Sequence, residues 1–167
     1  MWNLITFDGF FEGPAPWDLD RHDEVWGGEL EQFGLEQLRG ADLLVFGRAT
    51  YQGMAAYGPS ASGDIADLVN RIDKVVFSRT LEAADWAGTR VISEVDPAVV
   101  RKRKDGGAGD TLVFGSAGLS AALTEAGLFD EYRLLVAPVV LGEGTLLFGR
   151  GLPRRRLRLL EQAVSLE

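Results

Sequence analysis

Two nearly identical phrases, DLLVFG at residues 42–47 and DTLVFG at residues 110–115, constrain the fold of this chain more than any other feature. Each is an almost unbroken apolar run that stops at a glycine, without the alternation of a half-exposed strand. Such runs are typical of parallel strands that are covered on both faces by helices. Because the sequences around the two phrases differ, they indicate two equivalent strand-turn-helix units rather than a duplicated domain.

Strand and helix patterns alternate along the 167 residues. We predict strands at residues 4–7, 42–47, 74–78, 90–93 and 111–115, and helices at 23–39, 50–57, 64–72, 97–104 and 116–127. The helix near residue 97 is expected to begin at Asp96, and the last helix to end at Gly127. From residue 130 onward the pattern is strand-like with hairpin turns. The sequence therefore predicts one α/β domain over residues 1–167, with a mixed sheet and an antiparallel C-terminal edge.

Composition excludes several classes of function. A net charge of -8 argues against a nucleic-acid partner, and the basic clusters RKRK (101–104) and RRR (154–156) read as solvated turns or helix ends. The absence of cysteine excludes disulfides, thiolate nucleophiles and thiolate-bound metals. No basic leader precedes the first strand, and the apolar stretch at 134–141 is too short to cross a bilayer. We therefore expect a cytoplasmic protein without a membrane partner.

His22 is the only histidine, which argues against most catalytic mechanisms that rely on a histidine as acid or base. The phrase FGSAG has Phe114 where the nucleophile elbow of a serine hydrolase needs its first glycine. A zinc site from one histidine and carboxylates would be poor, so no metal is expected. Hydride transfer is compatible with this composition, because a cofactor supplies the chemistry and the protein positions the cofactor. A hydrolase that uses loop carboxylates is the least favoured alternative.

The glycine that ends each apolar phrase is a candidate anion site. A glycine lets an anion approach the backbone, and the helix that follows offers free N–H groups with a positive partial charge. Two such turns in one sheet suit a dinucleotide, although either turn alone could serve packing only. Neither turn contains the glycine spacing of a Rossmann or P-loop fingerprint. The turn residues are Gly47, Arg48 and Thr50 after the first strand, and Gly115, Ser116 and Gly118 after the second.

A third strand, KVVF, ends in Ser78, Arg79 and Thr80. An NAD-specific site usually carries a carboxylate for the ribose hydroxyls at the corresponding place. Two hydroxyls and a guanidinium instead favour a 2'-phosphate, and hence NADPH. The alternative is a capped strand end with a surface arginine.

Five segments in order, TFDGFFEG, LLVFGRATYQGM, KVVFSRTLEAADW, LVFGSAGLSAAL and DEYRLLVAPVVLGEGTLLF, resemble the dihydrofolate-reductase-like superfamily. The branch is the one related to the reductase domain of bacterial riboflavin biosynthesis. The resemblance implies a three-layer αβα sandwich with a mixed, mainly parallel sheet, often dimeric, and we expect a homodimer. The first and last predicted strands lie very near Met1 and Glu167, which leaves open an incomplete sheet edge.

The same resemblance implies NADPH-dependent reduction of a small heterocycle of ribosylamino-pyrimidine type. A pterin reductase and a non-catalytic nucleotide-binding module stay open as alternatives. No dedicated basic clamp for a sugar phosphate is evident in the sequence. The implied cofactor residues are Gly47, Arg48 and Thr50 for the phosphates, Ser78 and Arg79 for the 2'-phosphate, and Gly115, Ser116, Ala117 and Gly118 for the pyrophosphate and nicotinamide half.

The substrate side is less defined. Asp8, at the end of the first strand and followed by a glycine, is expected to point into the same crevice. Proton handling is left open among Asp20, His22 and Asp23, because acidic residues there could instead stabilise a helix N-terminus. Two aromatic side chains could stack on a flat heterocycle or only pack the loop. The candidates are therefore Asp8, Asp20 and Asp23 for catalysis, and Phe11, Trp17 and His22 for substrate binding.

Overall fold

A computed structural model describes residues 1–107 and 109–163, apart from the side chain of Val99. Strands and helices alternate in it as the sequence predicts. The strands are β1 (Trp2–Thr6), β2 (Phe10–Glu12), β3 (Ala41–Gly47), β4 (Asp73–Phe77), β5 (Thr89–Ile92), β6 (Asp110–Val113), β7 (Arg133–Ala137) and β8 (Thr145–Leu146). The helices are α1 (Arg21–Val25), α2 (Gly28–Gly40), α3 (Arg48–Ala55), α4 (Asp64–Arg71), α5 (Pro97–Gly106) and α6 (Ala117–Glu125), with a 3₁₀ turn at Gly58–Ser60.

A parallel sheet forms the central layer. Four of its strands lie in the order β5-β4-β3-β6, and all their pairings are parallel. β1 pairs with β7 in parallel as well. A single parallel bridge from Trp2 to Phe114 joins β1 to the end of β6. The layer therefore reads β5-β4-β3-β6-β1-β7, with the first strand of the chain near the far edge.

The two apolar phrases occupy the middle of this layer and are covered on both faces. In β3, Leu43 and Val45 belong to one buried cluster, and Leu44 and Phe46 to the other. The first cluster also contains residues of α6, and the second contains residues of α2, α3 and α4. Successive strand residues point to opposite faces, so a strand buried on both faces must be apolar throughout. The unbroken runs in the sequence have this cause.

The helix predicted at residues 23–39 is two helices. α1 ends at Val25, Trp26 and Gly27 are extended, and α2 begins at Gly28. A pair of glycines costs about 2 kcal/mol of helix propensity relative to alanine, which accounts for the break. The other two predicted helix ends are confirmed. The Asp96 side chain accepts a hydrogen bond from the Ala98 backbone N at 2.8 Å, and Gly127 has a φ of +66°.

The segment after residue 130 differs from the prediction of strands joined by hairpin turns. β7 follows α6 as a crossover connection and pairs in parallel with β1, because a helix between two strands returns the chain in the same direction. Within the part of the chain that the structure describes, the antiparallel pairing is that of the two-residue β8 with β2. Residues 152–163 have no regular secondary structure, so the strand predicted there is not observed in the described part, and residues 164–167 lie outside it. Within the described ranges, no helix has the length and apolar character needed to cross a membrane.

Candidate functional site

The two glycine turns meet at the carboxyl end of the sheet. β3 and β6 are neighbours in parallel register, so the turns that follow them lie side by side. The Gly47 backbone N donates a hydrogen bond to Ser116 Oγ at 2.7 Å, and Ser116 Oγ donates to Thr50 Oγ1 at 2.8 Å. One serine hydroxyl therefore joins the start of α3 to the start of α6.

Close approach explains why glycine occupies both turns. A Cβ atom on Gly47 would lie 2.7 Å from Ser116 Oγ, closer than real Cβ contacts. Gly115 has a φ of +57°, and the next residue, Ser116, has a φ of +58°, although it is not a glycine. Non-glycine residues rarely adopt this left-handed conformation, and such strain concentrates at functional sites. The surrounding hydrogen bonds of Ser116 hold it there.

Buried Asn3 supports the second turn and is not among the residues predicted from the sequence. Its Oδ1 atom accepts a hydrogen bond from the Gly115 backbone N at 2.6 Å, and only 4% of the residue is exposed. The available signal is a polar residue inside the apolar first strand, WNLIT. Ser120 adds a second support, because its hydroxyl donates to the Gly115 carbonyl at 3.1 Å. A buried amide and a buried hydroxyl thus fix both sides of Gly115.

Both helices that leave the turns begin without a side-chain cap. Among the described residues, no side chain bonds the first backbone N–H groups of α3 or of α6. These groups carry the positive end of the helix dipole and are free to donate to an anion. Arg48 at the start of α3 is exposed, and so is Gly118 in the first turn of α6, while Ala117 is half-buried. The arrangement matches an anion-attracting edge of the sheet.

The third predicted element lies at the same edge. Gly47 is in register with Phe77 of β4, and Ser78 and Arg79 follow directly. The Ser78 hydroxyl oxygen accepts hydrogen bonds from the backbone N of Thr80 at 3.2 Å and of Leu81 at 2.9 Å. Its own hydrogen is still available for an acceptor. Arg79 is exposed, so the predicted 2'-phosphate residues border the first turn.

Trp86 anchors the segment that carries Ser78 and Arg79. Its indole Nε1 donates to Asn70 Oδ1 of α4 at 2.6 Å, and its backbone N donates to the Tyr51 hydroxyl of α3 at 3.1 Å. The residue is 4% exposed, and the Lys74 ammonium lies 4.7 Å from its ring centroid. The connection from β4 to β5 is thereby fixed against both helices. The anchoring role of Trp86 is not predicted from the sequence.

Asp8 forms a hydrogen-bonded clamp at the end of β1. Its carboxylate accepts hydrogen bonds from the Thr6 hydroxyl at 2.6 Å and from the backbone N of Leu141 and Gly142 at 3.2 and 2.8 Å. The hydrogen bond from the Thr6 hydroxyl is the largest cause of the lowered pKa of Asp8, and the two backbone hydrogen bonds add to it. Together they outweigh the opposing effect of desolvation and lower the pKa to about 2. The carboxylate is therefore ionised at neutral pH and cannot donate a proton there. Its contact with a substrate stays a prediction.

Replacing Asp8 with asparagine is expected to lower stability above about pH 4, where an unfolded aspartate is ionised. The folded pKa is depressed, so the native carboxylate stabilises the fold above the unfolded pKa, and this contribution is lost as pH falls toward about 2. Urea unfolding midpoints measured from about pH 6 to pH 2 should therefore converge for wild type and Asp8→Asn at the acid end. Asp85→Asn, at an exposed aspartate, is the control. A constant difference across the range would contradict the clamp.

Phe11 of β2 lies against the second turn, and Trp17 in the loop that follows β2 lies against α3. A Cβ atom on Gly115 would lie 2.8 Å from Phe11 Cζ, and one on Gly53 of α3 would meet the Trp17 ring. The Trp17 backbone N donates to the Glu12 carboxylate, and Trp17 itself has a φ of +64°. The structure therefore brings Phe11 to the second turn and Trp17 to α3. Whether they stack on a ligand stays a prediction.

The remaining candidates lie on or beside α1. Asp20 and Asp23 are exposed, and Asp20 makes no capping hydrogen bond. His22 is half-buried, and its Nε2 atom has no hydrogen-bond partner among the described residues. Burial, reinforced by the charge of Arg21, lowers the pKa of His22 to about 4, so the ring is neutral at pH 7. Their assignment to proton transfer stays a prediction.

A cavity of about 750 Å³ lies away from these turns. Apolar side chains such as Leu43, Val45 and Leu123 line it together with charged ones such as Arg103 and Asp110. None of the predicted site residues borders it. Cavity volume alone would therefore misplace the candidate site. Within the described ranges, no group of three or more His, Cys, Asp or Glu side chains is placed to hold a metal ion.

The parallel sheet between two helical layers, with anion-attracting turns at its carboxyl edge, defines a dihydrofolate-reductase-like αβα protein. The chain belongs to the RibD C-terminal domain family, which matches residues 3–165. It is 30% identical over 152 residues to "Uncharacterized protein YyaP" of Bacillus subtilis (strain 168), covering 86% of this chain and 76% of that relative. The resemblance predicted from the sequence is thus confirmed.

A solved structure has the same fold. The crystal structure of the protein named "Putative riboflavin biosynthesis protein" from Shewanella sp. PV-4 matches with a TM-score of 0.71 and 17% identity. The match covers 89% of this chain and 81% of that chain. It confirms the predicted αβα sandwich. The family is of reductase type, so this chain is a member of a reductase-type family.

Proposed function

We propose that this chain is an NADPH-dependent reductase that acts on a small heterocyclic substrate of ribosylamino-pyrimidine type. The observation that carries the proposal is the Ser116 hydroxyl, which joins two uncapped helix starts at one edge of the sheet. Uncapped helix starts beside glycines bind phosphates, and two of them suit the pyrophosphate of a dinucleotide. Membership of the RibD C-terminal domain family supports the same activity.

The cofactor residues divide between three turns. Gly47, Arg48 and Thr50 would hold phosphate oxygens, and Ser78 and Arg79 the 2'-phosphate. The second turn, with Gly115, Ser116, Ala117 and Gly118, would lie along the pyrophosphate and nicotinamide half. A reduced nicotinamide supplies a hydride when bound, and these residues would orient it. Gly118 faces open space at the start of α6, and the helix starts and hydroxyls supply the donors that such a group needs.

Proton delivery is proposed to come from water, with Asp20 and Asp23 as the exposed acidic side chains that would position it. The Asp8 carboxylate is ionised and fully engaged with Thr6 and the 141–142 backbone. His22 is neutral at pH 7. Catalysis would then rest mainly on holding the two reactants face to face.

Arg79→Ala is expected to raise the Kd for NADPH about tenfold and to leave the Kd for NADH unchanged, because one charge-assisted hydrogen bond to a 2'-phosphate contributes about 1.5–3 kcal/mol. Arg48→Ala should weaken the binding of both cofactors to a similar extent, because Arg48 would contact phosphates that both cofactors carry. Nicotinamide fluorescence titrations measure all four constants, and Arg71→Ala, at an exposed arginine that ends α4, is the control. Equal losses for NADPH and NADH in Arg79→Ala would contradict the 2'-phosphate assignment.

A non-catalytic nucleotide-binding module is the second candidate. The ionised Asp8 and neutral His22 favour it, because neither group is ready to donate a proton at pH 7. Turnover separates the two candidates: a panel of ribosylamino-pyrimidines and dihydropterins is added to protein with bound NADPH, and loss of nicotinamide absorbance is followed. Oxidation with one substrate supports the reductase, and binding without oxidation across the panel supports the module.

A homodimer in the cytoplasm belongs to the same proposal. β7 pairs with β1 on one side, and the described residues include no strand on its other side. Two apolar side chains near that edge, Val136 and Val140, are 55% and 71% exposed. A second copy that covered this edge would bury them.

A further inference from the structure

Arg21, the first residue of α1, is a buried arginine with an unused hydrogen-bonding edge. It is 4% exposed, and its Nη1 atom donates to the Asp18 carbonyl at 3.2 Å. Its Nε and Nη2 atoms are buried without a partner among the described residues. These two nitrogens lie on the same side of the guanidinium, where their N–H groups form the pair that binds two oxygens of a carboxylate or phosphate.

The unused edge is energetically unfavourable as it stands. Each buried donor without a partner costs about 1–3 kcal/mol, and an arginine stays charged at any physiological pH. Burial lowers the pKa of Arg21, and the nearby carboxylates of Asp18 and Glu12 oppose this effect. Neither carboxylate accepts from the edge: Glu12 accepts from the Trp17 backbone, and Asp18 offers its carbonyl to Nη1. The fold therefore holds a charged pair of donors that its own described groups do not satisfy.

The position of Arg21 ties this edge to the candidate site. The chain from Phe11 to Arg21 runs from the second glycine turn, past Trp17 on α3, and into α1. The next residue, His22, has a buried Nε2 atom that also lacks a partner among the described residues. Three nitrogens without a partner among the described residues thus lie where the chain enters α1, directly after the 12–18 loop whose Trp17 packs on α3. The loop must open for a ligand to reach them.

We infer that the Nε and Nη2 edge of Arg21 binds an oxyanion of the substrate, either a phosphate or a carboxylate, when the 12–18 loop opens. The inference rests on the proposed function, because it assigns the edge to the substrate of the same site. It makes the substrate an anionic heterocycle. It also supplies the basic group that the sequence alone does not reveal, since Arg21 stands in an acidic stretch, DLDRHDE.

The arginine side-chain resonances of ¹⁵N-labelled protein test this inference. The Arg21 Nε–H signal, assigned in the wild-type protein by through-bond correlation to the Arg21 backbone, is followed while inorganic phosphate or acetate is added. The titrations are run on free protein and on protein with excess NADPH, so that phosphate binding at the cofactor turns is separated. A saturable shift with phosphate indicates a phosphate-bearing substrate, and a shift with acetate indicates a carboxylate.

Arg21→Lys keeps the charge but loses the paired donors, so we expect at least about tenfold weaker binding of the anion that shifts the signal. Arg71→Lys, at an exposed arginine, should leave the affinity unchanged. The inference is overturned if neither anion moves the wild-type Arg21 signal, a result that does not depend on the variant folding. Loss of NADPH binding in wild type would overturn the proposed function instead, and the two failures are therefore distinct.

Discussion

Replacing Trp86 with alanine is expected to lower the free energy of unfolding by about 3–5 kcal/mol, the range for removing a large buried aromatic side chain. The residue is 4% exposed, stacks near Phe46 and Tyr51, and donates its indole N–H to Asn70. Alanine would remove the ring and leave the Asn70 oxygen without its donor. It would also remove the aromatic face above the buried Lys74 ammonium. Urea unfolding measures the loss.

Trp26→Ala is the matched control for this substitution. Trp26 is 48% exposed and lies between α1 and α2, so its replacement should cost less than about 1 kcal/mol. Because Trp86 also anchors the segment with Ser78 and Arg79, Trp86→Ala should reduce the preference for NADPH over NADH in the protein that stays folded. If Trp86→Ala lowered the free energy of unfolding no more than Trp26→Ala does, Trp86 would not be an anchor.

Gly47→Ala is expected to weaken NADPH binding about 100-fold. The new methyl group would lie 2.7 Å from Ser116 Oγ and 3.0 Å from its Cβ, so the serine must move. Its movement breaks the hydrogen bonds from the Gly47 backbone and to Thr50, which join the starts of α3 and α6. Two such losses of about 1–1.5 kcal/mol each give a factor of roughly 100. Nicotinamide fluorescence measures it.

Gly40→Ala provides the comparison, because it makes the same chemical change at the end of α2. A Cβ atom there meets nothing within 4 Å, so cofactor affinity should be unchanged, and helix propensity should favour the alanine slightly. Unfolding midpoints of both variants check that Gly47→Ala is still folded. If the two variants bound NADPH equally well, the first turn would not be part of the cofactor site.

The central sheet could be predicted from the sequence, because each signal was local. A strand with both faces buried has no freedom to carry polar residues, and the glycines at Gly47 and Gly115 mark its end. The proximity of the two turns followed from the same reasoning, since parallel neighbours end at one edge. The helix break at residues 26–28 also has a local signal in the sequence, which is two adjacent glycines. The helical spacing of the apolar residues around it nevertheless predicted one continuous helix.

The supports of the site could not be predicted in this way, because they depend on pairings between distant segments. Asn3 reaches Gly115 because β1 lies beside β6. The contact of Phe11 with Gly115 has the same cause. Local turn signals after residue 130 suggested hairpins, whereas the crossover through α6 decided the direction of β7. The burial of the Arg21 Nε and Nη2 atoms depends on how the 12–18 loop packs in three dimensions. No spacing of residues in the sequence predicts this packing.

The placement of β1 between β6 and β7 has a consequence for how the chain folds. Trp2 and its neighbours pair with residues more than a hundred positions later, so β1 has no partner until β6 and β7 have been synthesised. Pairings between such distant segments form slowly, because a long loop must close first. We therefore expect β3, β4 and β5 to assemble early, and the edge that completes the Gly115 turn to assemble last. Competence for ligand binding would then report the final step of maturation.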